Sequence, residues 1–113
     1  MELYEELQKL TDDLEISIKS LRKTGASYAQ SERDYKVLLR QECLKLRDEG
    51  MAVGMITLIC YGIPEVAEAR FKRDCAESIY TANKEAINSI KLRMRLIGEQ
   101  LQREWSATGT GNL

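Results

Sequence analysis

The fold class follows from residues 87–101, INSIKLRMRLIGEQL, in which apolar side chains recur at alternating steps of three and four residues. The recurring positions are Ile87, Ile90, Met94, Ile97 and Leu101. On an α-helix this spacing puts all five side chains on one face, and its average of about 3.5 residues is typical of a coiled-coil seam. The stretch therefore predicts a helix that packs lengthwise against another helix.

The segment around this stretch is predicted to form one long helix over residues 64–105. Pro64 suits the first turn of a helix, where its missing N–H group is not needed, and Glu65 favours the positive end of the helix dipole. Before residue 87, the apolar stripe is predicted to pass through Phe71, Cys75, Ile79, either Ala82 or Asn83, and Ala86. Residues 106–113 are rich in Gly and Thr and lack periodicity, so they are predicted to form a disordered tail.

A second helical pattern fills the first half of the chain. Its apolar positions at three- and four-residue spacing include Leu3, Leu7, Leu10, Leu14, Ile18, Leu21, Tyr28, Tyr35 and Leu38. The spacing is kept across Gly25, although a glycine within a helix costs about 1 kcal/mol relative to alanine. One helix over residues 2–49 is therefore predicted, with a kink or a helix-turn-helix break at Gly25 as the alternative. Gly50 is predicted to end this helix.

The two long helices are similar in length and are separated by a short apolar segment, which predicts an antiparallel hairpin. Residues 52–61 are predicted to form a short capping helix over its end. Folding the chain about residue 56 places Gly25 and Ala26 beside Ala86 and Ile87. The predicted architecture is all-α, with a single domain over residues 1–105 built as a long, coiled-coil-like helical hairpin.

Two helices cannot cover all the apolar surface that these patterns provide. Tyr4 and Ile16 on the first helix, and Ile87, Leu92 and Leu96 on the second, form an additional apolar set. Apolar strips of this size are typical of association sites, so self-association into a homo-oligomer is predicted. The predicted seam residues are Leu7, Leu10, Leu14, Ile87, Ile90, Met94, Ile97 and Leu101.

The composition excludes several kinds of catalyst. The chain has 113 residues and no His, which rules out an imidazole base, an imidazole metal ligand and a Ser-His-Asp triad. It also lacks a Gly-rich phosphate loop and the common carboxylate motifs of metal sites. We therefore expect no enzymatic activity, no cofactor and no metal.

Cysteine usage and hydropathy predict the compartment. Cys43, Cys60 and Cys75 are odd in number and contain no CxxC pair, which favours reduced, buried thiols in a cytoplasmic protein. The uncharged stretch 51–62 is shorter than the roughly 20 residues that cross a bilayer. The sequence therefore predicts a cytoplasmic protein without membrane contact.

The charges are unevenly distributed, although 17 Lys and Arg nearly balance 18 Asp and Glu. Residues 16–31 and 86–98 contain no acid. Their basic residues are Lys19, Arg22, Lys23, Lys91, Arg93 and Arg95. In the predicted hairpin these six would form a basic belt that binds nucleic acid, a nucleotide or another anion. The simpler interpretation is a solvated face, which is also our interpretation of the charged cluster at 70–74.

Residues 51–61 are a second candidate site. The simplest interpretation is a helix that only covers the end of the hairpin. Alternatively, its Met and Ile side chains form an adaptable knob that binds a protein partner. The predicted knob consists of Met51, Met55, Ile56 and Ile59.

The segments 66–74 (VAEARFKRD), 79–80 (IY) and 90–97 (IKLRMRLI) carry a resemblance. Residues 35–105 resemble a group of small all-helical proteins encoded by bacteriophages and prophages of Gram-positive bacteria. The resemblance implies an accessory role in the infected cell, either in replication or recombination or as an inhibitor of a host defence system. We therefore expect a non-catalytic protein of the host cytoplasm that binds a host or phage protein. The alternative is nucleic-acid or nucleotide binding through the basic belt.

Overall fold

The computed structural model describes residues 2–110, and these residues form three helices. The helices are α1 (Glu2–Asp48), α2 (Val53–Cys60) and α3 (Pro64–Thr110), and no strand occurs among the described residues. The two long helices have 47 residues each, whereas α2 has only eight. The all-α prediction is confirmed.

The helix boundaries agree with the sequence except at the end of the chain. α1 runs without interruption through Gly25, so the alternative of a break at this residue is wrong. α3 continues to Thr110, five residues beyond the predicted end at 105. Residues 106–110 are therefore helical and do not belong to a disordered tail, and residues 111–113 lie outside the described part of the chain.

Gly50 ends α1 as predicted, through a turn that requires glycine. Its φ of 86° is a left-handed conformation that a residue with a Cβ adopts only at a cost. The N–H of Gly50 donates to the carbonyl of Arg47 at 3.0 Å, and the N–H of Met51 donates to that of Leu46 at 3.1 Å. This pair of hydrogen bonds is a Schellman motif, which satisfies two of the last carbonyls of α1.

The chain forms two compact units. The first unit contains Met1–Arg22 and Ala82–Leu113, and the second contains Lys23–Thr81. In each unit a segment of α1 packs against a segment of α3 that runs in the opposite direction. The antiparallel helical hairpin is therefore confirmed, whereas the single domain stays a prediction.

The inward side of α3 follows one heptad pattern over residues 66–101. The buried or half-buried positions are Val66, Ala69, Arg73, Ala76, Tyr80, Asn83, Ile87, Ile90, Met94, Ile97 and Leu101. The stripe predicted through Phe71, Cys75 and Ile79 is wrong, because all three are exposed. The predicted burial of all three cysteines is therefore also wrong for Cys75. Three of the inward positions in this half of α3 are polar or aromatic, namely Arg73, Tyr80 and Asn83. Hydrophobicity alone therefore selected the wrong face.

The predicted seam residues lie inside the first unit, between its segments of α1 and α3. Leu10 and Ile87 are buried, and Leu7, Leu14, Ile90, Met94, Ile97 and Leu101 are half-buried. These residues thus pack within one chain, and their part in an oligomer stays a prediction. Ile18 was assigned to the same stripe, but it is exposed, and Ser17 takes the inward position.

The register of the hairpin differs from the symmetric fold about residue 56. In the second unit the ring of Tyr80 lies on Gly25, so closely that an added Cβ would be 3.1 Å from Cε1 of the ring. Tyr28 stacks on the same ring, with 5.8 Å between the centroids. The predicted contact of Gly25 with Ala86 is therefore wrong by about six residues. Because Pro64 lines a cavity with Leu38, α3 starts well before the end of α1, and α2 packs along the remaining turns of α1.

A charged cluster in the second unit holds this register. The guanidinium of Arg73 lies 4.7 Å from the ring centroid of Tyr35 on α1 and 3.5 Å from a carboxylate oxygen of Glu32. It also pairs with Asp74 at 2.8 Å, and its side chain is only 19% exposed. The hydroxyl of Tyr28 donates to Glu32, which lowers the pKa of the carboxyl group and raises the pKa of the phenol. Arg73 is thus a seam residue and does not belong to a solvated face.

We predict that Arg73→Ala lowers the free energy of unfolding by about 2 kcal/mol, because it removes a charge-assisted hydrogen bond and a cation–π contact. Urea denaturation measures the change. The matched control is Arg33→Ala, since Arg33 also pairs with a neighbouring Asp, but at 3.9 Å and with 69% of its side chain exposed. The control should change stability by less than about 0.5 kcal/mol. Equal effects of the two substitutions would contradict the placement of Arg73 in the seam.

Two glycine substitutions should have opposite effects on stability. Gly50→Ala should lower the free energy of unfolding by about 1 kcal/mol, because alanine is strained at this positive φ. Gly98→Ala should raise it by up to about 1 kcal/mol, because Gly98 lies inside α3 and an added Cβ meets nothing within 4 Å. Thermal and urea denaturation of both variants check the signs. Loss of stability in Gly98→Ala would show that α3 is not a regular helix there.

Candidate docking site

The short helix α2 exposes most of its apolar side chains. Val53 and Leu58 are 78% and 76% exposed, and Met55 is 49% exposed. Ile59 and Tyr61, at the end of the helix, are exposed as well. α2 contains no charged residue, so nothing polar interrupts this surface except Thr57. An apolar patch that a monomer leaves in solvent is typical of a protein-binding site.

Two side chains anchor α2 to the rest of the second unit. Ile56 is 8% exposed and Cys60 is 1% exposed, and they lie one helical turn apart on the same face. Ile56 was predicted to belong to the partner-binding knob, but its burial makes it an anchor. Of the other predicted knob residues, Met55 and Ile59 are exposed and Met51 is half-buried.

The predicted knob omits the most exposed residues of this surface, Val53 and Leu58. Its members share a residue type, Met or Ile, but not a direction around the helix. A signal was present, because a single eight-residue helix can bury only one face, while α2 is apolar on every side. Once Ile56 and Cys60 are assigned to the buried face, Val53 and Leu58 are left on the outside.

A groove of about 520 Å³ lies beside α2 in the second unit. α1 and α2 both contribute to it, and its size is within the roughly 300–1,000 Å³ range of small-molecule sites. It is lined by Lys36, Leu39, Arg40, Cys43, Leu44, Arg47, Val53 and Ile56. The floor is therefore apolar, and every charged side chain that lines the groove is basic.

The charges at the groove are only partly neutralised. Lys36 pairs with Glu32 at 3.6 Å. Arg40 and Arg47 have no ion pair with another described residue, and both are exposed. Glu42 lies between them in the sequence and pairs with Lys45 at 3.2 Å, and Asp48 directly follows Arg47 but forms no ion pair with it. The groove thus combines an apolar floor with two arginines that are open to an acidic ligand.

The six predicted belt residues are exposed, but the register separates those of the first unit. There the side-chain amide of Asn83 donates to the carbonyl of Ser17 at 3.2 Å. Since the helices are antiparallel, Lys19 and Lys91 lie on opposite sides of this contact, about 15 Å apart along the helix axis. Arg22 lies farther still from Arg93 and Arg95, and Lys23 belongs to the second unit. The predicted side-by-side belt is therefore wrong.

The basic residues of α3 also diverge from one another. Residues two apart on a helix point in nearly opposite directions, so Arg93 does not share a face with Lys91 and Arg95. The stretch thus presents its positive charges to different sides of α3. This arrangement is typical of a solvated helix surface.

Other signs of a known type of site are missing from the described residues. They contain no group of three or more His, Cys, Asp or Glu side chains that could hold a metal ion. None of their helices is long and apolar enough to cross a membrane. No protein-family model, curated protein or solved structure matches the chain.

Proposed function

We propose that this chain is a non-catalytic interaction protein that binds an acidic amphipathic helix of a partner protein. The docking surface consists of the exposed side chains of α2 and the groove between α1 and α2. The observation that carries the proposal is the exposure of Val53 at the edge of a groove with an apolar floor, on a short helix that also exposes Leu58. An amphipathic helix in an apolar groove is a common mode of protein recognition.

The charges of the groove argue for an acidic partner. Lys36, Arg40 and Arg47 line it, and none of its lining residues is acidic. A docked helix with Asp or Glu beside its apolar face would pair with the two arginines, which can hold carboxylates in bidentate geometry. A basic helix would place like charges together, which costs free energy and rejects such partners.

The setting of the interaction rests on the resemblance to small phage-encoded helical proteins. We propose that the partner is a host or phage protein in the cytoplasm of the infected cell. Binding would then either block a host defence protein or recruit a replication or recombination protein. No covalent chemistry is needed for either role, since occupation of the partner's surface is sufficient.

Two other occupants were expected from the sequence. Self-association stays a prediction, and it would compete for the docking surface if α2 were its contact. Nucleic-acid binding has less support, because the six basic residues do not form the continuous belt that a phosphate backbone would follow. We therefore assign the docking surface to the acidic helix of a partner protein.

The test uses two synthetic peptides of about 18 residues with the same apolar face, one flanked by Glu and the other by Lys. Fluorescence anisotropy measures their binding to the full chain. We expect the Glu peptide to bind more tightly than the Lys peptide. Leu58→Ser and Arg40→Glu should each weaken binding of the Glu peptide at least tenfold, as loss of a central interface contact does.

Matched controls test whether the effect belongs to the docking surface. Phe71→Ser removes an apolar side chain that is 63% exposed on α3, and Arg103→Glu reverses an exposed charge far along α3. Neither should change the affinity more than about twofold, because surface changes away from a contact have small effects. Equal binding of both peptides, or equal losses in controls and test variants, would overturn the proposal.

Light scattering of the free protein separates a partner from a second copy. If the wild type is a dimer and Leu58→Ser is a monomer, the docking surface is occupied by another copy of this chain, and the partner helix is refuted. If Leu58→Ser leaves the mass unchanged, the surface is free for the peptide. Binding of a single-stranded oligonucleotide that Arg40→Glu leaves unchanged would instead support a separate anion site.

A further inference from the structure

Two thiols meet where α2 is anchored to α1. The Sγ atoms of Cys43 and Cys60 are 2.9 Å apart, although the two residues are 17 positions apart in the chain. Cys60 is buried, and its Sγ also lies 3.7 Å from the carbonyl oxygen of Leu39. Cys43 is half-buried and lines the groove, so a reagent in solvent can reach it. An apolar contact between α1 and α2 does not need cysteine at both positions, so the direct contact of two sulfur atoms points to thiol chemistry.

We propose that Cys43 and Cys60 form a reversible thiol–disulfide site, which low-molecular-weight disulfides such as glutathione disulfide close. A disulfide requires side chains whose sulfur atoms can approach to about 2.05 Å, and this pair is already in contact. Closure therefore needs a shift of about 1 Å in the side chains, with both helices retained. The site links α1 to α2 covalently, independently of any partner.

The exchange proceeds in two balanced steps. The thiolate of Cys43 attacks one sulfur of glutathione disulfide, which forms a mixed disulfide and releases one glutathione thiolate. The thiolate of Cys60 then attacks the Sγ of Cys43, which forms the intramolecular bond and expels the second glutathione. The two protein thiol protons end on the two glutathione molecules, so the protein is oxidised by two electrons and glutathione disulfide is reduced.

The environment assigns different roles to the two cysteines. The more accessible Cys43 is the residue that meets the oxidant. Burial raises the pKa of Cys60 to about 11, and the neighbouring Cys43 and Glu42 act in the same direction. Cys60 is thus mostly protonated at neutral pH and is protected from direct attack. Its role is to resolve the mixed disulfide, and we expect that step to limit the rate.

Closure would fix the position of the docking surface. In the reduced protein, Ile56 and Cys60 anchor α2 through non-covalent contacts only. A disulfide between Cys43 and Cys60 prevents α2 from separating from α1. It also replaces the thiol of Cys43, which lines the groove, with a disulfide. Oxidation thereby changes both the mobility and the chemistry of one wall of the groove.

The experiment exposes the reduced full chain to glutathione disulfide at low protein concentration, alkylates the remaining thiols with N-ethylmaleimide and records the intact mass. The wild type should lose the mass of two hydrogen atoms and carry alkylation or glutathione only at Cys75, which is exposed. Peptide mapping should locate the link between Cys43 and Cys60, and dithiothreitol should remove it. Cys75→Ser is the matched control and should close at the wild-type rate.

Single substitutions in the pair should trap the intermediate or prevent it. Cys60→Ser should stop at the mixed disulfide on Cys43, because no resolving thiol remains. Cys43→Ser should leave Cys60 unmodified for much longer, because that thiol is buried. Circular dichroism verifies that both variants are folded.

The rate of closure in folded and in unfolded wild-type protein is a second measurement, which needs no variant. The folded wild type should form the Cys43–Cys60 link at least tenfold faster than the same chain in urea, because the fold holds the thiols together. An equal or slower rate in the folded protein would overturn the proposal. A link that involves Cys75, or alkylation of all three cysteines in the folded wild type, would also overturn it.

Discussion

The structure depends on one charged side chain in the hairpin seam, the guanidinium of Arg73. A purely apolar heptad seam can slide by one repeat with little change in burial, whereas a polar residue that needs particular partners fixes the register. Arg73 has such partners on α1, with Glu32 at 3.5 Å and the ring of Tyr35 at 4.7 Å. The same register brings Tyr80 onto Gly25, the seam position of α1 where the absence of a side chain makes room for the ring.

This register determines how α2 and the last turns of α1 pack in the second unit. It starts α3 beside Leu38, so the last turns of α1 extend past the beginning of α3. Only α2 remains to cover them, and its eight residues bury no more than Ile56 and Cys60. The exposed apolar surface, the basic groove and the contact between Cys43 and Cys60 all arise from this incomplete cover. In this account, the docking surface is a consequence of the register of the hairpin.

The sequence predicts the elements of this fold better than their relative placement. Heptad spacing, Pro64 and Gly50 located both long helices, because each signal acts within a few residues of its own position. The register was wrong because folding about residue 56 assumes that the connection is symmetric, and the packing of α2 along α1 breaks that symmetry. The inward face of α3 was wrong near Phe71 because Arg73 and Tyr80 bury their side chains through contacts with α1 that hydropathy does not reveal.

For the candidate site too, the sequence predicts the location in the chain but not the packing. The sequence pointed to residues 51–61 because an uncharged segment next to two charged helices stands out. It did not show that Ile56 faces inward, nor that Arg40 and Arg47 reach the groove beside Val53, since both facts depend on where α2 lies. The prediction of a basic belt was wrong for a related reason. Basic residues on two helices form one continuous surface only if the register places them side by side.

The register is tested most directly by nuclear Overhauser effects to the α-protons of Gly25. We predict strong effects between these protons and the ring protons of Tyr80, whose Cε1 atom lies 3.1 Å from the position that a Cβ at Gly25 would occupy. Effects from Gly25 to the methyl protons of Ala86 or Ile87, with none to Tyr80, would establish the symmetric register instead. That result would contradict the placement of Arg73 in the seam and the docking surface that follows from it.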